Sequence, residues 1–193
     1  PVKWGVLGYA GIARKEVIPA MVEAQNAVPY AIASRDVGKL DTAVQTFGFA
    51  KTYQDYHALL ADPEVEAVYI PLPNALHKEW VLKAIRAGKH VLCEKPLAQT
   101  EEDCREMLNA AQQAGVLLGE AFMYRFANRI AILKKLLNEK TVGEITSVYA
   151  SHRFVLKDAK NVRVNAELGG GSIWDVGCYP VNIIGMIMND EPV

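Results

Sequence analysis

The 193-residue sequence has few cysteines, no excess of either charge and no long hydrophobic run. Its three cysteines, Cys93, Cys104 and Cys178, lack the spacing of a disulfide framework or of a metal site. We therefore expect a reduced, cytoplasmic protein without a metal. The net charge of −1 offers no basic surface for nucleic acid. No apolar stretch is long enough for a bilayer, and the first residues do not resemble a signal peptide. Neither nucleic acid nor a membrane is an expected partner.

What the sequence does contain is a regular alternation of short apolar and longer amphipathic segments over residues 1–122. Such alternation predicts an α/β fold with a doubly wound parallel sheet covered by helices on both faces. The predicted strands cover residues 2–8, 28–34, 65–70, 90–93 and 116–121, and the predicted helices cover 12–24, 37–48, 55–62, 74–88 and 100–115.

The pattern changes after residue 122. Residues 127–139 are predicted to be helical, and residues 144–156 alternate like a half-exposed antiparallel strand. Residues 169–188 are glycine-rich and then helical. Because a single strand does not form a stable sheet, we interpret residues 123–193 as the start of an incomplete α+β domain with a mainly antiparallel sheet.

A glycine motif lies where the first strand meets the first helix. The dinucleotide fingerprint G-x-G-x-x-G/A occurs in that context, and here Ala10 stands in place of the second glycine. A helix that begins there presents N–H groups to a pyrophosphate. The alternative is a plain glycine turn. The candidate cofactor-binding residues of this segment are Gly8, Tyr9, Ala10, Gly11 and Ile12.

The end of the second strand indicates which dinucleotide is bound. Arg35 follows Ser34 there, and an arginine at this place accommodates the 2′-phosphate of NADP. Ser34 would donate a hydrogen bond to the same phosphate. We therefore expect NADP, while the neighbouring Asp36 leaves NAD open, because an acidic residue binds the ribose 2′-hydroxyl.

Lys95 lies where the fourth predicted strand leaves the sheet, in the sequence HVLCEKP. Ligands of open parallel sheets bind outside the carboxyl ends of the strands, so Lys95 is expected to face the same crevice as the glycine turn. Pro96 fixes its own φ and restricts Lys95 to extended backbone. By composition alone, a surface lysine in a turn is the better explanation of the motif.

Longer segments of the sequence indicate a function for the Lys95 motif. The segment YIPLPNALHKEWVLKAIRAGKHVLCEKPLAQT, together with IASRD, EAFMYRF and GGGSIWDVGCYPVN, closely resembles the Gfo/Idh/MocA oxidoreductase family. Within it, the chain is most similar to the branch with glucose–fructose oxidoreductase, dimeric dihydrodiol dehydrogenase and NADP-dependent xylose dehydrogenase. Ala10 also occurs in this branch. The resemblance implies a Rossmann domain over residues 1–122. It also implies that the domain after it, when complete, binds the substrate and assembles the protein into a homo-oligomer.

The same resemblance implies roles for particular residues. Lys95 would contact the nicotinamide ribose and the reacting oxygen of the substrate, and Glu94 would position the cofactor. Asp175 and Tyr179 would reach the substrate from the second domain. The ribose and pyrophosphate would be lined by Pro71, Leu72, Asn74 and His77.

The implied reaction is hydride transfer between the nicotinamide and a carbinol or carbonyl carbon of a sugar, polyol or diol. Tyr179 would move the proton on oxygen, with its pKa lowered from about 10 by the Lys95 ammonium. Alternatively, Lys95 transfers that proton itself. The structural alternatives are a buried aromatic for Tyr179 and a helix cap for Asp175.

Three more residues are candidates for substrate contact: Tyr124, Arg125 and Arg163. Alternatively, Arg125 pairs with Asp175 or forms a salt bridge between the two domains. The glycine run after Arg163 would either close over the substrate or only form a tight turn.

A second function of a different class also fits the sequence. A dinucleotide-binding sensor or regulator would use the same fold without turnover.

Overall fold

The structure is a computed structural model that describes residues 1–159 and 161–190. The chain divides into two compact units, Pro1–Glu120 and Ala121–Val193. The predicted boundary after residue 122, and the substrate-binding and assembly roles of the second part, stay predictions.

The first unit is built on a six-stranded sheet in the order β3-β2-β1-β4-β5-β6, with every neighbouring pair parallel. This is the strand order of a Rossmann fold, and the order reverses direction between β1 and β4. Ligands of such sheets bind at that reversal. The strands are β1 (Val2–Leu7), β2 (Ala27–Ala33), β3 (Lys51–Tyr53), β4 (Ala67–Ile70), β5 (His90–Cys93) and β6 (Leu118–Glu120).

Helices cover both faces of this sheet because both faces are apolar. Successive strand residues point to opposite faces, and Val6 accordingly packs in one buried cluster while Leu7 packs in the other. The fold class predicted for this part of the chain is therefore confirmed. The helices are α1 (Ile18–Glu23), α2 (Val37–Phe47), α3 (Tyr56–Leu60), α4 (His77–Arg86) and α5 (Glu101–Ala114).

Local sequence signals set several helix ends. The Asp103 N–H donates to Thr100 Oγ1 over 3.1 Å, so Thr100 caps α5 as its position predicts. Gly48 ends α2 with a φ of 71°, a conformation that glycine adopts without strain.

Two details of the first unit differ from the prediction. The strand β3 was missed, because three residues are too few to show a hydrophobic period. The helix predicted over residues 12–24 is divided into a π-helical turn, Ala13–Val17, and α1. Pro19 lies in the first turn of α1, where its missing N–H is tolerated.

The second unit contains α6 (Asn128–Asn138) and α7 (Cys178–Met188), preceded by a π-helical turn, Ile173–Gly177. Pro180 is the third residue of α7 and thus lies directly after this turn. The strand predicted over residues 144–156 was wrong, because residues 145–158 form no regular secondary structure. The alternating pattern alone does not create a strand when no neighbouring strand pairs with it within the described residues.

Candidate active site

The glycine turn after β1 has the backbone shape that a dinucleotide site needs. Gly8 has a φ of 103°, and a Cβ placed on it would lie 3.2 Å from Leu72 Cδ2. Its N–H donates to Ala33 O over 2.8 Å, which keeps the turn attached to β2. A Cβ on Gly11, by contrast, would meet nothing within 4 Å, so the space beside Gly11 is open.

A cleft of about 370 Å³ opens at the point where the strand order reverses. Its walls come from the segments that follow β1, β2, β3 and β4, so it lies at the carboxyl edge of the sheet. The lining residues are Gly8, Tyr9, Ala10, Ser34, Arg35, Asp36, Lys39, Tyr56, Pro71, Leu72 and Pro73. The structure thus brings together seven of the thirteen predicted cofactor residues. The other six are outside this lining: Gly11, Ile12, Asn74, His77, Glu94 and Lys95.

The segment after β2 presents two cations to the cleft. Asp36 caps α2, because its Oδ1 accepts from the Lys39 N–H over 3.2 Å. Lys39 Nζ lies 3.7 Å from Asp36 Oδ2. Ser34 is buried and its Oγ accepts from the Asp36 N–H, which leaves the hydroxyl proton available for a ligand. Arg35 and Lys39 therefore both line the cleft, together with the carboxylate that caps α2.

Lys39 is not among the residues predicted from the sequence to bind the cofactor. A lysine in the first turn of an amphipathic helix has the same appearance as any solvated lysine. Its position four residues after Arg35, across one helical turn from the strand end, is the signal that would have identified it.

The turn that carries Lys95 is fixed to the sheet at its first residue. The Glu94 N–H donates to Ile70 O over 3.1 Å, which extends the pairing of β4 with β5 by one residue. Tyr69, fully buried on β4, donates from its hydroxyl to Glu94 Oε1 over 2.6 Å. The Lys95–Pro96 peptide bond is cis. The Glu94 carboxylate is therefore held in place from inside the sheet.

Two more side chains hold the residues that follow Lys95. His77 Nδ1 lies 2.8 Å from Pro96 O, and His77 Nε2 lies 2.8 Å from Leu72 O. Glu120, at the end of β6, accepts from the Leu97 N–H over 2.8 Å. The turn around Lys95 is thus held by side chains from three separate elements, namely Tyr69, His77 and Glu120.

We predicted that His77 would line the ribose and pyrophosphate of the cofactor, and this stays a prediction. The side chain is fully buried. It joins the segments after β4 and β5 from behind. Its influence on a cofactor would therefore act through the two carbonyl groups that it contacts.

The cysteine next to this turn is not a nucleophile. Burial raises the pKa of the Cys93 thiol well above its usual range, and the nearby Glu94 and Glu120 act in the same direction. The reactive form of cysteine is the thiolate, so Cys93 acts as a packed apolar residue.

In the second unit, Tyr124 and Arg125 share one partner. The Tyr124 hydroxyl donates to Asn182 Oδ1 over 2.6 Å, and Arg125 Nη1 donates to the same oxygen over 3.3 Å. Burial raises the pKa of Tyr124, although the charge of Arg125 opposes this. Asn182 on α7 therefore fixes both candidate substrate residues to one helix.

Asp175 is paired with the arginine of the preceding segment. Arg163 Nε donates to Asp175 Oδ2 over 2.9 Å. The glycine run makes this contact feasible, because a Cβ on Gly170 would lie 2.7 Å from the carbonyl oxygens of Arg163 and Asn165. The N–H groups of Gly170 and Gly171 donate to those same carbonyls over 2.8 Å. The run is a tight turn that brings Arg163 to Asp175.

Tyr179, the second residue of α7, lies among aromatic rings of its own unit. Its ring centroid is 5.0 Å from that of His152, 5.4 Å from Phe122 and 6.0 Å from Tyr124. The first two contacts are edge-on, the arrangement that aromatic pairs prefer. These contacts restrict how the Tyr179 ring can turn.

Among the residues that the structure describes, no helix is both long and apolar enough to cross a membrane. Within residues 1–159 and 161–190, no three His, Cys, Asp or Glu side chains are grouped so that they could hold a metal ion.

Comparison with known proteins identifies the family. The model of an oxidoreductase family with an NAD-binding Rossmann fold matches residues 2–122, and the model of the GFO/IDH/MocA C-terminal domain matches residues 130–193. The chain belongs to the GFO/IDH/MocA oxidoreductase family. The resemblance drawn from the EKP segment and its neighbouring phrases is thereby confirmed.

Curated GFO/IDH/MocA relatives match nearly the whole chain. D-xylose 1-dehydrogenase (NADP(+)) 2 of Haloferax volcanii is 44% identical over 180 residues, which cover 93% of this chain and 55% of the relative. Trans-1,2-dihydrobenzene-1,2-diol dehydrogenase of Xenopus laevis is 33% identical over 98% of this chain and 57% of the relative. The chain therefore spans little more than half the length of these relatives.

Solved structures of the family agree with the fold. A 3-ketoreductase from Actinomadura kijaniata, in complex with NADP and TDP-benzene, superposes with a TM-score of 0.93 at 37% identity. That match covers 97% of this chain and 57% of the other. An aldose-aldose oxidoreductase from Caulobacter crescentus, complexed with glycerol, gives a TM-score of 0.93 at 32% identity over all of this chain and 59% of the other.

Proposed function

We propose that this chain belongs to an NADP-dependent oxidoreductase that transfers a hydride between the nicotinamide and a carbinol or carbonyl carbon of a sugar, polyol or diol. The observation that carries the proposal is that three features lie at the carboxyl edge of the sheet: the glycine turn, the cations Arg35 and Lys39, and the turn that carries Lys95. The names of the relatives, which are dehydrogenases and reductases of sugars and diols, support it.

The cleft has the features that NADP requires. The open space beside Gly11 and the left-handed backbone of Gly8 suit a pyrophosphate that approaches the main chain closely. Ser34, Arg35 and Lys39 would hold the 2′-phosphate, since guanidinium and ammonium groups bind phosphate through charge-assisted hydrogen bonds. Asp36 caps α2 through Oδ1, and its Oδ2 can still accept from a free ribose 2′-hydroxyl, so NAD stays the alternative cofactor.

The nicotinamide, when bound, supplies or accepts the hydride. The protein has to hold the substrate and move the proton on its oxygen. We assign that proton to Tyr179, with its phenolate stabilised by the Lys95 ammonium, or to Lys95 itself. Asp175, oriented by Arg163, and the pair Tyr124 and Arg125, oriented by Asn182, are proposed to contact the substrate.

A turnover assay distinguishes an oxidoreductase from a dinucleotide-binding sensor or regulator without turnover. Absorbance of the reduced nicotinamide is followed with the whole protein, NADP and a panel of aldoses, polyols and diols. Hydride transfer with at least one member supports the enzyme. Tight binding of NADP without turnover of any member would favour the sensor instead.

The proposal also covers where the protein acts and how it assembles. We propose a cytoplasmic protein, in keeping with three cysteines that form no disulfide. We also propose that the complete second domain mediates a homo-oligomer, which light scattering of the whole protein would test.

A further inference from the structure

Tyr56 is a cleft residue to which neither the sequence motifs nor the proposal above assigns a role. It is the first residue of α3, and its ring packs edge-on against Trp80, with centroids 4.9 Å apart and an interplanar angle of 90°. Its hydroxyl oxygen lies 3.5 Å from the point that a Cβ on Gly8 would occupy. A packed ring therefore holds a polar group beside the glycine turn.

The hydroxyl of Tyr56 differs from other tyrosine hydroxyls of the same unit. Tyr53 donates to Asp62 Oδ2 over 2.8 Å, and Tyr69 donates to Glu94 Oε1 over 2.6 Å. In the described part of the chain, the Tyr56 hydroxyl makes no hydrogen bond to protein. Half-buried polar groups are normally satisfied by protein, water or ligand, so this donor is available to a molecule in the cleft.

The charge around Tyr56 fits an anionic ligand. Burial raises the pKa of Tyr56 above its usual range, although the positive charge of Arg35 opposes this shift. The hydroxyl therefore stays protonated at neutral pH and can donate. It lies beside the glycine turn, which would face the pyrophosphate, and it interacts electrostatically with Arg35, which would face the 2′-phosphate.

We propose that the Tyr56 hydroxyl donates a hydrogen bond to the ribose–phosphate part of the adenosine half of NADP. This inference rests on the proposed function, since it assumes that NADP occupies the cleft. Tyr56 would add a donor from the segment after β3 to those after β1 and β2. The packing of its ring against Trp80 would keep the hydroxyl in position before the ligand arrives.

The test is calorimetric titration of the chain and its Tyr56→Phe variant with two ligands, NADP and adenosine 2′,5′-bisphosphate. The bisphosphate represents the adenosine half without the nicotinamide. We expect Tyr56→Phe to weaken both ligands by about tenfold, the value of one hydrogen bond to a phosphate oxygen. The midpoint of thermal unfolding should not change, because the hydroxyl makes no described hydrogen bond to protein.

Tyr53→Phe is the matched control. It also removes one tyrosine hydroxyl, but that hydroxyl bonds to Asp62 and is outside the cleft lining. This variant should unfold at a lower temperature and bind both ligands like the unmodified chain.

The outcomes separate the two proposals. Equal affinities of Tyr56→Phe and the unmodified chain would overturn the inference and leave the proposed function standing. Weaker binding of NADP alone, with the bisphosphate unaffected, would also overturn it, because the hydroxyl would then act on the other half. If the unmodified chain binds neither ligand, the proposed function itself fails.

Discussion

The Tyr69 hydroxyl donates a 2.6 Å hydrogen bond to Glu94 Oε1, and this bond ties the buried strand β4 to the turn that carries Lys95. Its acceptor is a carboxylate, and hydrogen bonds to charged groups are stronger than those between neutral groups. The sheet thus fixes the residue next to Lys95 from below, while His77 and Glu120 fix the residues after it.

Removing this hydroxyl should weaken the fold. We expect Tyr69→Phe to lower the free energy of unfolding by about 1–2 kcal/mol, since a partly buried carboxylate loses a donor. Urea denaturation gives that difference. Tyr149→Phe, which removes a hydroxyl from a side chain that is 92% exposed, should have no effect. Equal stability of Tyr69→Phe and the unmodified chain would show that the hydrogen bond contributes nothing.

The sheet and the glycine turn could be predicted from the sequence because both depend on local patterns. Apolar runs mark the buried strands, and the fingerprint lies within a few residues. The contacts that hold the Lys95 turn could not be predicted in this way, because their partners are far apart in the chain and meet only through the strand order. The pairs are Tyr69 with Glu94 and Glu120 with Leu97. The strand expected over residues 144–156 failed for a related reason, since pairing depends on segments elsewhere.

A buried ionic cluster around Asp62 makes stability depend on pH. Burial acts to raise the pKa of Asp62, but hydrogen bonds from the Glu64 N–H, Lys51 and Tyr53 outweigh it and hold the pKa below its usual range. A carboxyl with a lowered folded-state pKa stabilises the protein above its unfolded-state pKa of about 4, and this contribution is lost as the pH falls through the folded-state value.

Asp62→Asn should therefore reduce the amount of unfolding free energy that is lost at acidic pH. We expect the unmodified chain to lose free energy of unfolding below about pH 4, and the variant to lose less over the same range. At pH 7 the variant should be less stable by about 1–3 kcal/mol. Asp41→Asn, an exposed position on α2, is the control. Parallel profiles for Asp62→Asn and the unmodified chain would contradict this account.

The tight turn before Asp175 should not accept a side chain. We expect Gly170→Ala to destabilise the chain by about 1–3 kcal/mol, because its Cβ would lie 2.7 Å from two backbone carbonyl oxygens that cannot move freely. Thermal unfolding measures the change. Gly177→Ala should be tolerated, since its Cβ would make contacts no closer than 3.5 Å. If the two variants unfold alike, the turn is looser than described.

Selectivity between the two dinucleotides should depend on the cations after β2. We expect Arg35→Ala and Lys39→Ala each to weaken NADP by about 10–100-fold and to leave NAD nearly unchanged, since only NADP carries the 2′-phosphate. Titration calorimetry with both dinucleotides provides the comparison. Equal losses for NAD and NADP would place these side chains elsewhere on the cofactor.

The most direct test of the central claim is a paired measurement on Lys95→Ala in the whole protein, with the affinity for NADP and the rate of hydride transfer taken from the same preparation. Lys134→Ala, an exposed lysine on α6, serves as the control. The account predicts that Lys95→Ala binds NADP nearly as tightly as the unmodified protein while kcat falls by about 100-fold or more. Unchanged turnover would contradict it.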